Sequence, residues 1–75
     1  MQPSKKRRGG LIDGEMLRSL RERHPMTMEE LAGLSGLSWN TVWRLENEER
    51  TPHPSTVRKL ASVLGVEPKE LIRQG

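Results

Sequence analysis

Residues 27–47 read TMEELAGLSGLSWNTVWRLEN, and the fold turns on this stretch. Thr27 with Glu30 three places on makes a capping box: the hydroxyl accepts from a free helical N–H while the carboxylate reaches back to the start. Met26 and Leu31 flank it as a hydrophobic staple. Ser38 repeats the rule for a following helix, with Leu37 and Val42 at the staple positions. Ala32 is small where the two helices would cross. Gly36 lies in the turn between them, where a left-handed backbone conformation costs glycine nothing in side-chain clashes. Val42 and Leu45 then form the inward side of the second helix, facing Leu31 and Leu37. A small residue, a turn glycine and two aliphatics at this spacing predict two short helices packed across a tight turn.

Outward from this stretch the chain repeats the same local signals. Asp13 caps a first helix, stapled by Ile12 and Leu17. The segment RTPHPS (50–55) is a loop, because prolines do not fit a helix interior. Ser55 is expected to start a fourth helix with Val57, Leu60, Ala61 and Leu64 as its apolar stripe, ended by Gly65. Pro68 suits the first position of a short fifth helix carrying Leu71 and Ile72. No segment shows the alternation of a strand. The expectation is an all-α domain of five short helices over residues 11–75, preceded by an arm over residues 1–10 that is disordered when free.

Composition narrows the function. The 75 residues suit one small domain and contain no cysteine, so no disulfide or thiolate metal site staples it. The two separated histidines, His24 and His53, do not make a metal site, and no metal or other cofactor is expected. No apolar run approaches the roughly 20 residues of a membrane span, and no signal-peptide core follows the basic start, so the chain is expected in the cytoplasm. Net charge is +3, but Lys5, Lys6, Arg7 and Arg8 carry the excess. The other 65 residues hold nine Lys/Arg against ten Asp/Glu, a net charge of −1. The body is therefore not a basic protein, and pI alone makes no case for nucleic acid. There is no nucleophile–base set, no phosphate-cradling glycine loop and no metal-ligand cluster, so an enzyme is not expected.

The paired helices form a helix-turn-helix pattern. Together with LRSLRE (17–22), TMEELAGLSGLS (27–38), TVWRLEN (41–47), RTPHPS (50–55) and LASVLGVEPKEL (60–71), it resembles the XRE family of Cro- and lambda-repressor-like DNA-binding domains from about Met16 to Ile72. The resemblance implies a lambda-repressor-like fold whose third helix, 38–47, enters the major groove of double-stranded DNA, with dimers reading paired half-sites. It implies a transcriptional regulator, most simply a repressor. It adds Asn47, Arg50 and Thr51 as backbone contacts and pairs Arg21 with Glu46 as a structural ion pair. Where the family usually has glycine this chain has Glu48, followed by Glu49. Met28 replaces a usual glutamine, and Ser35 stands where an aliphatic or alanine is common.

The residues themselves orient the third helix. At about 100° per residue, Val42 and Leu45 define the inward face and leave Asn40, Arg44 and Asn47 most nearly opposite. Asn40 suits adenine and Arg44 suits guanine, each bidentately. Trp39 and Trp43 are the chain's only aromatics and lie on one flank of that face. Trp39 is expected as an apolar reader of a thymine methyl, with Met28 as the backing that the resemblance implies, and Trp43 as cover for a junction between helices. The alternative is that both rings fill gaps in the fold. Thr41 is a fourth candidate for base contact. Thr27, Met28 and Ser38, at helix starts with free N–H groups, are candidates for phosphates. The cationic arm, Lys5 to Arg8, is an accessory candidate. A homodimer is expected, in solution or only on DNA, and no small-molecule ligand is evident. A competing reading is a protein-interaction module, such as an antitoxin or a transcription bridging factor, using Leu34 and Trp43 as an exposed apolar surface.

Overall fold

The computed structural model describes residues 12–73; the basic arm and Leu11 lie outside the described residues, as do residues 74–75. Four α-helices follow in order: α1 (Gly14–Arg23), α2 (Met28–Ser35), α3 (Trp39–Glu46) and α4 (Pro54–Leu64), then a 3-10 turn, Pro68–Leu71. The expected fifth helix is thus a single 3-10 turn. Glu67 and Glu70 form a capping box across its start. Ile72 leaves it in an extended conformation and pairs with Ile12 in an isolated antiparallel bridge. Ile72 therefore closes the two ends of the described chain together instead of extending a helix.

Three helix starts are held by their own side chains. Asp13 accepts from the Met16 N–H, Thr27 from the Glu30 N–H, and Ser38 from the Thr41 N–H. Each satisfies one of the N–H groups a helix start leaves unpaired. The fourth helix begins one residue earlier than Ser55, with His53 as the cap and Pro54 inside the first turn, and no side chain caps it. Proline fits there because the N–H it lacks would have had no helical partner. At the other end of α2, Gly36 adopts φ 71° and its N–H donates back to Ala32 and Gly33 carbonyls. The conformation is costly for any residue with a Cβ, and it lets α3 turn back across α2.

The core is one cluster drawn from every element. Ile12, Leu17, Leu31, Val42, Leu45, Leu60 and Leu71 are fully buried, with Leu20, Ala32, Val57, Ala61 and Leu64 close behind. α2 packs against both α3 and α4, while α1 packs against α3 and the 3-10 turn. Full burial of each aliphatic stabilises by roughly 1.5–3 kcal/mol relative to exposure. His24 caps the end of α1, and its Nε2 lies 3.0 Å from the Leu64 carbonyl at the end of α4. This packing leaves one long side of α3 without protein cover.

Candidate nucleic-acid interface

The inward and outward sides of α3 separate as its spacing dictates. Val42 and Leu45 are fully buried, whereas Asn40, Arg44 and Asn47 are exposed. Among the described residues, neither the Asn40 amide nor the Arg44 guanidinium engages a hydrogen bond or an ion pair. Both remain available to an incoming partner. The Thr41 hydroxyl turns back 2.9 Å from the Ser38 hydroxyl, and Thr41 is half-buried. It belongs to the cap more than to the free face.

The tryptophans are positioned by each other. Their ring centroids lie 6.4 Å apart at an interplanar angle of 26°, a stacked pair one helical turn apart. Trp39 is 49% exposed and Trp43 half-buried. The ring partner of Trp39 is therefore Trp43, while Met28 is half-buried and packs on the core. The i,i+4 spacing carried this signal in the sequence. Among the described residues Leu34 is the most exposed large apolar side chain, at 66%, with Met16 also exposed.

The positive ends of α2 and α3 differ. At α2, Glu30 Oε1 accepts from the Thr27 N–H at 2.8 Å, and Glu29 also lies in the first turn. Two carboxylates already complement that dipole and oppose a phosphate at Thr27 and Met28. The first turn of α3 holds no acidic residue, so Ser38 and the N–H groups after it keep an uncompensated positive end. Beyond α3, Arg50 and Thr51 are exposed on the loop, and Asn47 donates its side-chain amide to the Trp43 carbonyl at 2.9 Å. Asn47 thus closes the helix end, with part of its hydrogen-bonding capacity already in use.

Two carboxylates beside α3 are drawn inward. Glu46 meets Arg21 in a forked pair, Nε–Oε2 2.6 Å and Nη2–Oε1 3.2 Å, with side chains only 2% and 10% exposed. The remaining Arg21 nitrogen, Nη1, donates to the Met26 carbonyl at 2.8 Å. Donating to the Glu46 carboxylate raises the Arg21 pKa above its ordinary value, outweighing the lowering by burial; the charges of Glu46 and Glu22 add to it. The pair clamps α3 to α1. Glu48 adopts φ 57° and folds its carboxylate onto the start of α1, accepting from the Gly14 N–H at 2.9 Å and pairing with Arg73. Sequence reading marked Glu48 as a departure but had no signal for its destination. Among the described residues no cluster of His, Cys, Asp or Glu could hold a metal ion, and no helix is long and apolar enough to cross a membrane.

Known proteins share this arrangement. Residues 14–74 match a family described as a helix-turn-helix domain. Two Bacillus subtilis (strain 168) proteins are similar over 54 residues, 71% of this chain. They are the uncharacterized HTH-type transcriptional regulator RghRB, 46% identical, and the HTH-type transcriptional repressor RghR, 44% identical. The chain spans 39% and 40% of their respective lengths. The restriction-modification controller protein C.AhdI from Aeromonas hydrophila superposes with a TM-score of 0.75 at 39% identity, over 79% of this chain and 89% of that one. With its capped α2, left-handed Gly36 turn and outward α3, this chain belongs to the XRE-like helix-turn-helix family.

Proposed function

We propose that the domain binds double-stranded DNA sequence-specifically and acts as a transcriptional regulator, most simply a repressor that occludes a promoter. The observation that carries this is the unengaged, exposed Asn40–Arg44 face of α3, opposite the fully buried Val42 and Leu45. Asn40 would read adenine and Arg44 guanine in the major groove. Trp39, stacked on Trp43, would meet a thymine methyl, and Thr41 would lie beside them at the groove. Ser38 and the start of α3 would take a phosphate, with Asn47, Arg50 and Thr51 along the adjoining backbone. Thr27 and Met28 are weaker phosphate candidates because Glu29 and Glu30 stand at the same helix end. Arg21 and Glu46 serve the fold and not the DNA surface.

The names of RghR and C.AhdI, a repressor and a controller protein, support the regulatory reading. A two-fold dimer on paired half-sites, in solution or assembled on the operator, follows from the same family logic, as does a place of action in the cytoplasm. The arm over residues 1–10 would add Lys5, Lys6, Arg7 and Arg8 as phosphate contacts. Binding would then strengthen as salt falls, with a log–log slope of about −0.9 for each phosphate neutralised.

In vitro selection of bound duplexes tests the proposal and returns half-site sequence and spacing together. The expected result is an enriched motif whose loss of one base pair is tolerated by Arg44→Ala. A pool that shows no enrichment over successive rounds defeats the reading. The exposed Leu34 favours the second reading, a protein-docking module, which predicts no retained gel shift in excess competitor DNA.

A further inference from the structure

We propose that Arg73 is a positioning residue for DNA binding: it holds the Glu48 carboxylate against the start of α1 and off the phosphate-facing loop that follows α3. The inference rests on the DNA-binding reading above and adds to it a residue from the far end of the described chain. Glu48 lies between Asn47 and Arg50, both assigned to the DNA backbone, where a free carboxylate would repel phosphates within a Debye length of about 10 Å at 0.1 M salt. Its side chain is only 12% exposed, whereas its neighbour Glu49 is exposed.

Three features withdraw that carboxylate. Glu48 takes a left-handed backbone conformation, φ 57°, which aims its side chain back across the end of α3 and which residues with a Cβ disfavour. The Gly14 N–H, first in α1 and at its positive end, donates to Oε2 at 2.9 Å. A Cβ on Gly14 would stand 2.2 Å from the Glu46 carbonyl oxygen and 2.9 Å from Glu48 Cγ, so glycine is what lets the two helix ends approach this closely. Arg73 then neutralises the carboxylate from the other side, its Nη2 also 3.8 Å from Asp13. Arg73 reaches the site because the Ile12–Ile72 bridge and the 2.7 Å hydrogen bond from Asp13 N–H to the Leu71 carbonyl fix the chain's end beside α1.

The experiment is a fluorescence anisotropy titration of a selected duplex at several salt concentrations. It is run below the melting temperature of every variant as read by circular dichroism. Arg73→Ala should weaken binding by about three- to tenfold at low salt, and by less as salt rises and screens the freed carboxylate. Adding Glu48→Gln should restore affinity to within about twofold of the unmodified protein, because the amide carries no charge to repel phosphate. Adding Glu49→Gln instead makes the same change in net charge and should restore little. Equal rescue by the two glutamines would overturn the proposal in favour of a simple charge count, as would a full loss that Glu48→Gln leaves untouched. Arg73 is partly exposed, and Arg73→Gln gives the same comparison should the alanine variant be poorly folded. If the unmodified protein shows no duplex preference, the DNA-binding reading fails and takes this one with it. Firm binding indifferent to Arg73 overturns this inference alone.

Discussion

At its start α3 is held by one local device, the Ser38 hydroxyl on the Thr41 N–H, and its neighbouring side chains Trp39 and Asn40 stand in the open. At its end almost every polar group is engaged: Glu46 with Arg21, the Asn47 amide with the Trp43 carbonyl, Glu48 with Gly14 and Arg73. The contrast separates two tasks along eight residues. The anchored end sets the angle at which the helix leaves the body, using interactions with residues 25 and 34 positions away in sequence. The open end can then present the Asn40 amide and the Trp39 indole, and the outward side of the last turn the Arg44 guanidinium, without any of them being needed for folding. A helix free at both ends would lose orientation, and one fastened at both would have nothing left to read with.

This comparison breaks most visibly at the anchored end. Glu46→Ala strands the Arg21 charge in a buried setting and should cost about 3–5 kcal/mol. Small domains hold only about 0.05–0.15 kcal/mol per residue, so the loss approaches the whole stability. A calorimetric melt should fall by at least about 12 °C or vanish; an unchanged melt with lost binding would mean that Glu46 belongs to the DNA surface instead. Arg44→Ala should do the reverse, leaving the melt unmoved while lowering discrimination at one base pair by about 1–3 kcal/mol in competition gel shifts. Ser38→Ala should cost about 1 kcal/mol of stability by leaving the Thr41 N–H uncapped, read as a shifted urea midpoint. Its phosphate contact should weaken too, so it is the one variant expected to move both readouts. The exposed Arg18–Glu22 pair marks the small end of the scale: Arg18→Ala should change stability by about 0.2–0.5 kcal/mol at most, within the error of many denaturation curves.

Legibility in the sequence follows the range of the interaction. Asp13, Thr27 and Ser38 were readable as helix starts because a cap and the N–H it serves lie three residues apart. Gly36 was readable because its turn needs a conformation that side chains disfavour. The outward face of α3 followed from helical periodicity alone. The start of α4 lies one residue before Ser55, because Pro54 pre-sets the first turn without a cap bond. The last element was missed in kind: Ile72 looks like part of an apolar helix, yet its backbone is taken up by Ile12. The tryptophan stack lay within reach of i,i+4 spacing, whereas the resemblance pointed to Met28 as the partner of Trp39.

By itself, then, the sequence determined where helices α1 to α3 begin, that α2 and α3 cross at a tight turn, and which side of α3 faces out. All of these are set by groups within about four residues of one another, whose geometry the helix dictates. Only the tertiary structure decided that Glu48 folds onto Gly14, that Arg73 arrives beside it, and that the two ends of the described chain close on each other. Those pairings join residues 25 to 60 positions apart, and they exist because burying Ile12, Leu17, Leu45 and Leu71 in one cluster brings them within reach. No local preference of glutamate, arginine or isoleucine encodes such a partner; the shared core does.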